Sequence, residues 1–157
     1  MASINRADWH YGGDYPKDLP IENGGTHIGM FINWIIENDL IGNLHLKDSK
    51  QGISDVKSRK INGRDFLFKY CDEKFWDEDL NEKGLTFTKY YYQNPKDLEE
   101  VYGKYIVDYE KNLGTGFESL YEIPNTWKNY DIIAEKIDRV YKKWQDKENK
   151  KSWQFWK

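Results

Sequence analysis

Hydrophobic side chains recur at intervals of three and four residues over most of this chain, the spacing typical of amphipathic helices. The clearest series predicts a long C-terminal helix that begins after Thr126. Its apolar positions are Trp127, Tyr130, Ala134, Ile137, Tyr141 and Trp144. A second series predicts a helix over 27–41, with Thr26 as its N-cap and Gly42 at its C-terminal end. Because the apolar surface of this helix is wider than one stripe, we expect it to lie at the centre of the fold.

Shorter helical patterns fill much of the remaining sequence. Asn62 has the character of an N-cap that opens a further clear helix, and a short helix is expected from Ser54. The stretch 85–92 fits a strand by its alternation and a helix by its three- and four-residue spacing, and we favour the helix. Another helical pattern starts at Asp97. These patterns predict a mainly α protein, a single domain over 1–157 built as a helical bundle of about five or six helices.

Residues 1–25 are predicted to form an ordered N-terminal loop that packs on the core, because glycine and proline are concentrated in this region. We interpret Trp9, His10, Asp14 and His27 as structural residues of this loop, with hydrogen bonds that lock it against the helix that follows. The alternative is that His10, Asp14 and His27 bind a metal ion, or act as a base and its orienting partner. Their spacing matches no standard metal motif.

Composition favours a folded protein of the cytoplasm. Twenty-four basic and 27 acidic residues give a net charge of −3, so no global positive field favours nucleic-acid binding. Seven Trp, twelve Tyr and seven Phe supply apolar area that a disordered chain lacks. The chain has one cysteine and shows neither a signal-peptide pattern nor an apolar run long enough to cross a bilayer. We therefore expect a cytoplasmic protein with no membrane partner.

The sequence contains no established cofactor or catalytic motif. Its glycines fit neither phosphate-loop pattern, and 77–88 departs from a calcium loop at two required positions. Cys71 has no partner signature and is expected to be a small buried hydrophobic residue, while His45 stands apart from the other candidates and receives no role. We predict no metal, no cofactor and no catalytic residue, and hence a protein that is not an enzyme.

Two charged and aromatic segments are candidates for binding. Between residues 72 and 83, six acids and two lysines give a local net charge of −4. The predicted partner-binding residues are Asp72, Glu73, Trp76, Asp77, Glu78, Asp79 and Glu82. Acids beside aromatic side chains are typical of a surface for a basic partner, and the alternative is a solvated loop. The basic, aromatic tail, 145–157, is expected to pack on the domain or contact a partner rather than bind a membrane surface or nucleic acid.

Two runs near the N-terminus form a distinctive signature: Trp-His-Tyr-Gly-Gly-Asp-Tyr-Pro from Trp9, and Gly-Gly-Thr-His-Ile-Gly-Met from Gly24. A further run, Ile-Asn-Gly-Arg-Asp-Phe-Leu, starts at Ile61. With these runs the chain resembles, over about residues 8–144, a family of small bacterial cytoplasmic proteins. The resemblance implies a helix over 85–92 and supplies no catalytic residues.

Small, acidic, aromatic-rich proteins of this kind are similar to immunity proteins of interbacterial toxin systems, such as contact-dependent growth inhibition. That similarity implies a protein that binds and neutralises a cognate toxin domain, expected to be basic, through an acidic aromatic surface. A small metal-dependent enzyme that uses His10, Asp14 and His27 is the alternative from another class. An adaptor that binds a different partner is the third.

Overall fold

A computed structural model of the protein describes residues 2–11, 15–93 and 104–155. This part of the chain is mainly helical, with eight α-helices and a two-stranded sheet. The helices are α1 (Ala7–Tyr11), α2 (Thr26–Glu37), α3 (Asn43–Asp48), α4 (Lys50–Lys57), α5 (Gly63–Tyr70), α6 (Glu82–Thr88), α7 (Lys104–Leu113) and α8 (Trp127–Phe155). The mainly α prediction is confirmed, but the expected count of five or six helices is too low. Helices α1, α3 and α4 are five to eight residues long and therefore have too few turns to show a clear period.

The two strands join the N-terminus to the middle of the chain. Strand β1 (Ser3–Arg6) pairs antiparallel with β2 (Lys74–Trp76), and the region predicted as a loop also contains α1 and a 3₁₀ helix over Ile21–Gly25. Residues 12–14 of that region, which include the predicted loop residue Asp14, lie outside the described residues. Strand preference depends on the cross-strand neighbours, and here they are distant in sequence.

Helix α2 is buried along almost its whole length. All of its residues except Glu37 are buried, in agreement with its wide apolar surface. It crosses α5 so closely that a Cβ built on Gly63 would lie 1.8 Å from the carbonyl oxygen of Gly29. The predicted N-cap, Thr26, is the first residue of the helix, and Gly25 is the N-cap instead. The helix ends at Glu37, before the predicted end at residue 41.

An aromatic core connects α2 to the C-terminal half of the chain. The rings from this half that pack against Phe31 and Trp34 of α2 include Phe87, Tyr91, Tyr92, Tyr105 and Tyr141. The helix favoured for 85–92 is confirmed, since α6 leads into one π-helical turn over Lys89–Gln93. The pattern from Asp97 begins outside the described residues.

Helix α8 is longer than predicted. It has 29 residues, so the described part of the tail 145–157 continues this helix. Neither α8 nor any other helix in the described part of the chain is apolar enough, over a sufficient length, to cross a membrane.

Candidate functional site

The acidic segment, residues 72–82, connects α5 to α6, and its backbone is fixed by unusual geometry. Asp72 and Glu73 have φ angles of 52° and 64°, in the left-handed region. Two consecutive non-glycine residues in this region cost free energy that the surrounding contacts offset. Here Glu73 N donates a hydrogen bond to the carbonyl oxygen of Leu67, and β2 pairs with β1. The segment is therefore held in one conformation.

Three of the predicted partner-binding acids face solvent. They are Asp72, Glu78 and Glu82. The Asp72 side chain is 90% exposed, and its ion pair with Lys74 is long, at 3.3 Å. Trp76, also predicted to bind the partner, is half-buried. The acidic segment thus presents exposed carboxylates together with part of an indole ring.

Glu73 and Asp77, which are half-buried, have structural partners as well. Glu73 accepts a hydrogen bond of 2.7 Å from the Tyr11 hydroxyl. Burial and this bond raise the pKa of Tyr11 to about 12. Asp77 accepts a hydrogen bond of 3.1 Å from the backbone N–H of Ala2. These two acids attach the N-terminal residues to the acidic segment.

Asp79 points into the protein, which corrects its assignment to the exposed surface. Its side chain is 6% exposed, and both of its oxygens have internal partners. Oδ2 accepts the backbone N–H of Trp76 at 2.7 Å, and Oδ1 lies 2.6 Å from Nε2 of His45. The order of acids along the sequence gives no sign of this inward orientation. Asp79 serves the fold rather than a partner-binding surface.

The buried cluster consists of His45, Cys71 and Asp79. The Cys71 Sγ lies 3.7 Å from His45 Nε2, and the potential ligand atoms of the three residues all lie within 4.8 Å of one another. On the other side of the ring, His45 Nδ1 lies 2.8 Å from the hydroxyl oxygen of Ser49. Because an ionised carboxylate only accepts hydrogen bonds, a neutral His45 ring carries its proton on Nε2, and the Ser49 hydroxyl donates to Nδ1.

Three separate elements bring the buried cluster together. His45 lies on α3, Cys71 follows the last residue of α5, and Asp79 ends a 3₁₀ turn over Asp77–Asp79. The start of α3 approaches this turn closely at Gly42, where a Cβ would lie 2.8 Å from two backbone carbonyl oxygens of residues 78 and 80. The glycine is therefore required for the close approach that places His45 against Asp79.

A cavity of about 250 Å³ opens beside the buried cluster. Its walls include the three cluster residues together with Leu44 and Trp76. Burial, and secondarily the charge of Asp79, raise the pKa of Cys71 well above its ordinary value, so the thiol is neutral and is not activated as a nucleophile.

Ser49, His45 and Asp79 are hydrogen-bonded in the order of a hydrolase triad. Ser49 is 6% exposed and is not among the described residues that line the cavity. Its hydroxyl is therefore not presented to a molecule bound in the cavity, and its position is that of a residue that orients the imidazole.

The structure also brings together His10 and His27, two of the three residues of the alternative metal site. Their rings are in edge contact, with centroids 4.5 Å apart. His10 Nδ1 lies 2.8 Å from the Tyr121 hydroxyl, and Nε2 lies 2.9 Å from Oδ1 of Asn5. Both ring nitrogens of His10 therefore take part in hydrogen bonds. The third residue, Asp14, is among those not described.

Burial changes the acid–base behaviour of both histidines. It lowers the pKa of His10, and it lowers the pKa of His27 well below the ordinary value, with a smaller contribution from the charge of His10. Trp9, the fourth predicted loop residue, is instead 56% exposed, and the Arg6 guanidinium lies 5.9 Å from its ring centroid.

Sequence reasoning gave no role to His45 and did not connect Cys71 or Ser49 with it. His45 is 26 residues from Cys71 and 34 from Asp79. The one local signal is the four-residue spacing of His45 and Ser49, which is too common to indicate a site. The cluster depends on the tertiary fold.

Comparison with known families places the chain in one of them. The family model that matches residues 3–123, more than half of the chain, is described as a domain of unknown function, DUF7832. The chain belongs to this family. The DUF7832 region contains β1, the acidic segment and the buried cluster, and it ends before α8. No curated protein matches the chain, and no solved structure does.

Proposed function

We propose that this DUF7832 protein is an immunity protein, which binds a basic bacterial toxin in the cytoplasm and neutralises it stoichiometrically. The binding surface is the acidic face, defined as Asp72, Trp76, Glu78 and Glu82, with Glu73 and Asp77 as partly engaged neighbours. The observation that carries the proposal is that three exposed carboxylates lie on a backbone segment fixed by internal bonds.

The rigidity of the acidic segment favours tight binding. Association costs free energy when loops and side chains must become ordered, and a segment already held in one conformation avoids part of that cost. Here the left-handed residues Asp72 and Glu73, the pairing of β1 with β2 and the buried Asp79 carboxylate all restrict the backbone. A rigid surface of this kind suits a protein that neutralises a toxin by binding tightly to its surface.

Apolar side chains next to the acidic segment provide anchor points. Leu44 of α3 is 47% exposed, which is high for leucine. Leu44 and Trp76 line the same cavity as Glu78. Tryptophan near the centre of an interface often contributes much of the binding energy, while surrounding charges direct the encounter. An apolar centre with a negative rim complements a basic partner.

The first test uses the gene adjacent to the one that encodes this chain, because immunity genes lie beside their toxin genes. We expect its product to stop growth when expressed alone in a laboratory bacterium, and growth to return when this protein is co-expressed. The purified pair should form an equimolar complex in isothermal titration calorimetry. A neighbouring product that is harmless, or that stays toxic in the presence of this protein, contradicts the proposal.

The second test locates the surface by charge reversal. The variant Asp72→Lys, Glu78→Lys, Glu82→Lys should bind the toxin with an association rate about 10- to 1,000-fold lower at low salt, and should no longer protect cells. A matched control makes the same change in net charge at exposed acids of α7 and α8: Glu110→Lys, Glu135→Lys, Asp146→Lys. Equal losses in both variants would contradict the acidic face as the binding site.

A further inference from the structure

We propose that the buried cluster is a zinc site, in which Zn²⁺ is bound by Nε2 of His45, Sγ of Cys71 and Oδ1 of Asp79, with a water molecule in the fourth position. The proposal is independent of toxin binding, since it rests on other atoms and is tested without a partner. Three protein ligands and one open position are the arrangement of zinc sites that remain accessible to small molecules.

The three ligand atoms lie within 4.8 Å of one another, and the separations of His45 Nε2 from the other two atoms can be compared with those of a tetrahedral zinc site. Zinc bonds of about 2.0 Å to nitrogen and about 2.3 Å to sulfur place neighbouring ligand atoms about 3.3–3.6 Å apart. The Cys71 Sγ and His45 Nε2 are 3.7 Å apart, close to this range. His45 Nε2 and Asp79 Oδ1 are 2.6 Å apart because they share a hydrogen bond, and they would separate by less than about 1 Å as the ion replaces the proton between them.

Two of the three proposed ligands, His45 and Asp79, have hydrogen-bond partners that support them. In zinc sites, the second ring nitrogen of a histidine ligand usually donates to an oxygen, which fixes the ring orientation. Ser49 Oγ occupies this position, 2.8 Å from His45 Nδ1. The backbone N–H of Trp76 holds Oδ2 of Asp79 at 2.7 Å, which leaves Oδ1 for the metal. Such supporting bonds distinguish a metal site from a chance cluster of ligand atoms.

The proton balance of binding is simple. The Cys71 thiol loses its proton to solvent as the zinc–sulfur bond forms, and the imidazole proton of a neutral His45 moves from Nε2 to Nδ1, where Ser49 Oγ accepts it. One proton is therefore released for each ion bound to the neutral cluster.

The ligand types and the cavity select the ion. A thiolate and an imidazole favour zinc over magnesium or calcium, which prefer oxygen ligands. The adjacent cavity, about 250 Å³ in volume, gives an entry path and room for the water ligand. Glu78 on the cavity wall supplies a further negative charge near that path.

Cobalt titration of the full chain tests the site directly. Cobalt(II) accepts the same ligands as zinc, and a thiolate bound to it gives a charge-transfer band in the near ultraviolet. Because Cys71 is the one cysteine of the chain, such a band reports this residue without any variant. In chelator-treated protein we expect the band to saturate at one equivalent of Co²⁺ and to disappear when Zn²⁺ is added. A folded wild-type protein that gives no band overturns the proposal.

Variants then separate ligands from their surroundings. Cys71→Ser, nearly the same size, should lose high-affinity zinc binding in calorimetry, whereas Ser49→Ala should keep the cobalt band with zinc affinity about 10- to 100-fold lower. His10→Gln, in the other histidine pair, should bind zinc as the wild type does. Unchanged zinc affinity in Cys71→Ser overturns the assignment. Toxin binding is measured separately on the chelator-treated wild type, so failure of one proposal is distinguishable from failure of the other.

Discussion

At the scale of single residues, Gly29 and Gly63 determine how closely α2 and α5 pack. A Cβ on Gly63 would lie 1.8 Å from the Gly29 carbonyl oxygen, and one on Gly29 would lie 2.4 Å from the backbone nitrogen of Arg64. These neighbours are backbone atoms of two packed helices, so they cannot move aside as a flexible side chain would. A single added methyl group must push the two helices apart.

We therefore expect Gly63→Ala to lower the free energy of unfolding by at least about 1–3 kcal/mol, or to prevent folding. Gly24→Ala is the matched control, because Gly24 is also buried but its added Cβ would lie 3.2 Å from the nearest atom. Urea unfolding followed by tryptophan fluorescence compares the two variants. Equal destabilisation would contradict the role assigned to the backbone contact.

His27 makes the stability of the protein depend on pH. Burial lowers the pKa of His27 well below the ordinary 6.5, and it also lowers the pKa of His10. As the pH falls below about 6.5, both rings therefore stay neutral in the folded protein, whereas the same histidines of the unfolded chain take up protons. Below about pH 6.5 the unfolded state thus binds more protons than the folded state. The stabilisation is complete above this pH and is lost as the pH falls towards the folded pKa values.

The expected result is a free energy of unfolding that is level from about pH 8 to 7 and falls below about pH 6.5, by up to about 1.4 kcal/mol per pH unit for each histidine. Urea unfolding at a series of pH values down to about 5, where most carboxylates remain ionised, measures this slope. His27→Gln should reduce the slope, whatever its effect on stability at neutral pH. The same slope in the variant and the wild type would contradict the argument.

Single residues also show where sequence reasoning succeeds and where it fails. Gly42 was predicted to end the central helix, since glycine readily adopts a left-handed conformation. Asp39 adopts it instead, with φ of 56°, while Gly42 is extended and allows close packing against the 78–80 turn. Aspartate also tolerates this conformation, so the choice depends on tertiary contacts that the sequence pattern does not contain.

At the scale of secondary-structure elements, α5 begins with reciprocal hydrogen bonds that its sequence indicates. Asn62 Oδ1 accepts the backbone N–H of Asp65 at 2.9 Å, and Asp65 Oδ2 accepts that of Asn62 at 3.1 Å. This arrangement, a capping box, satisfies backbone donors that have no partner within the helix. The start of α5 could be predicted because every group involved lies within four residues.

Removal of this cap should weaken α5 measurably. Asn62→Ala is expected to lower the free energy of unfolding by about 0.5–2 kcal/mol, because it leaves the N–H of Asp65 without its side-chain acceptor. Asn62→Ser, which retains an acceptor oxygen, should lose much less and serves as the control in the same urea experiment. A serine variant as unstable as the alanine variant would contradict a capping role.

Elements that depend on distant partners were harder to predict. The helix favoured for 85–92 and the helix after Thr126 were predicted from local apolar spacing, and the structure agrees with both. The π-helical turn within the first of them was not predicted. Strand β1 has four residues and forms only because β2 lies beside it. Its sequence therefore resembles a loop until the pairing is known.

At the scale of the whole molecule, the acidic segment and the buried cluster differ in how far the sequence alone predicts them. The acidic segment is visible in the sequence because its charges are adjacent, although the inward orientation of Asp79 is not. The buried cluster unites α3, the end of α5 and a 3₁₀ turn, so no spacing along the chain could reveal it. Sequence patterns identify a surface made of neighbours, whereas a site built from separate elements requires the fold.

The long helix α8 has buried side chains in its first part, whereas the described side chains near its C-terminal end are exposed. Trp144 is buried, and its ring lies 5.3 Å from that of Phe87, between centroids. The side chains of residues 146–153 are all exposed. The DUF7832 match also ends before α8, at residue 123. Among the described side chains of α8, the last buried one is therefore that of Trp144.

A chain that ends after Gln145 should remain folded, with a free energy of unfolding within about 1 kcal/mol of the full chain, because the side chains of residues 146–153 are exposed and exposed residues contribute little. Trp144→Ala in the full chain is the contrasting variant and should lose about 3–5 kcal/mol. Urea unfolding followed by circular dichroism compares both with the wild type. If the shortened chain lost as much stability as Trp144→Ala, residues after 145 would have a packing role and this division of α8 would be wrong. Under the proposed function the shortened chain should also still neutralise the toxin, since it retains the whole acidic face.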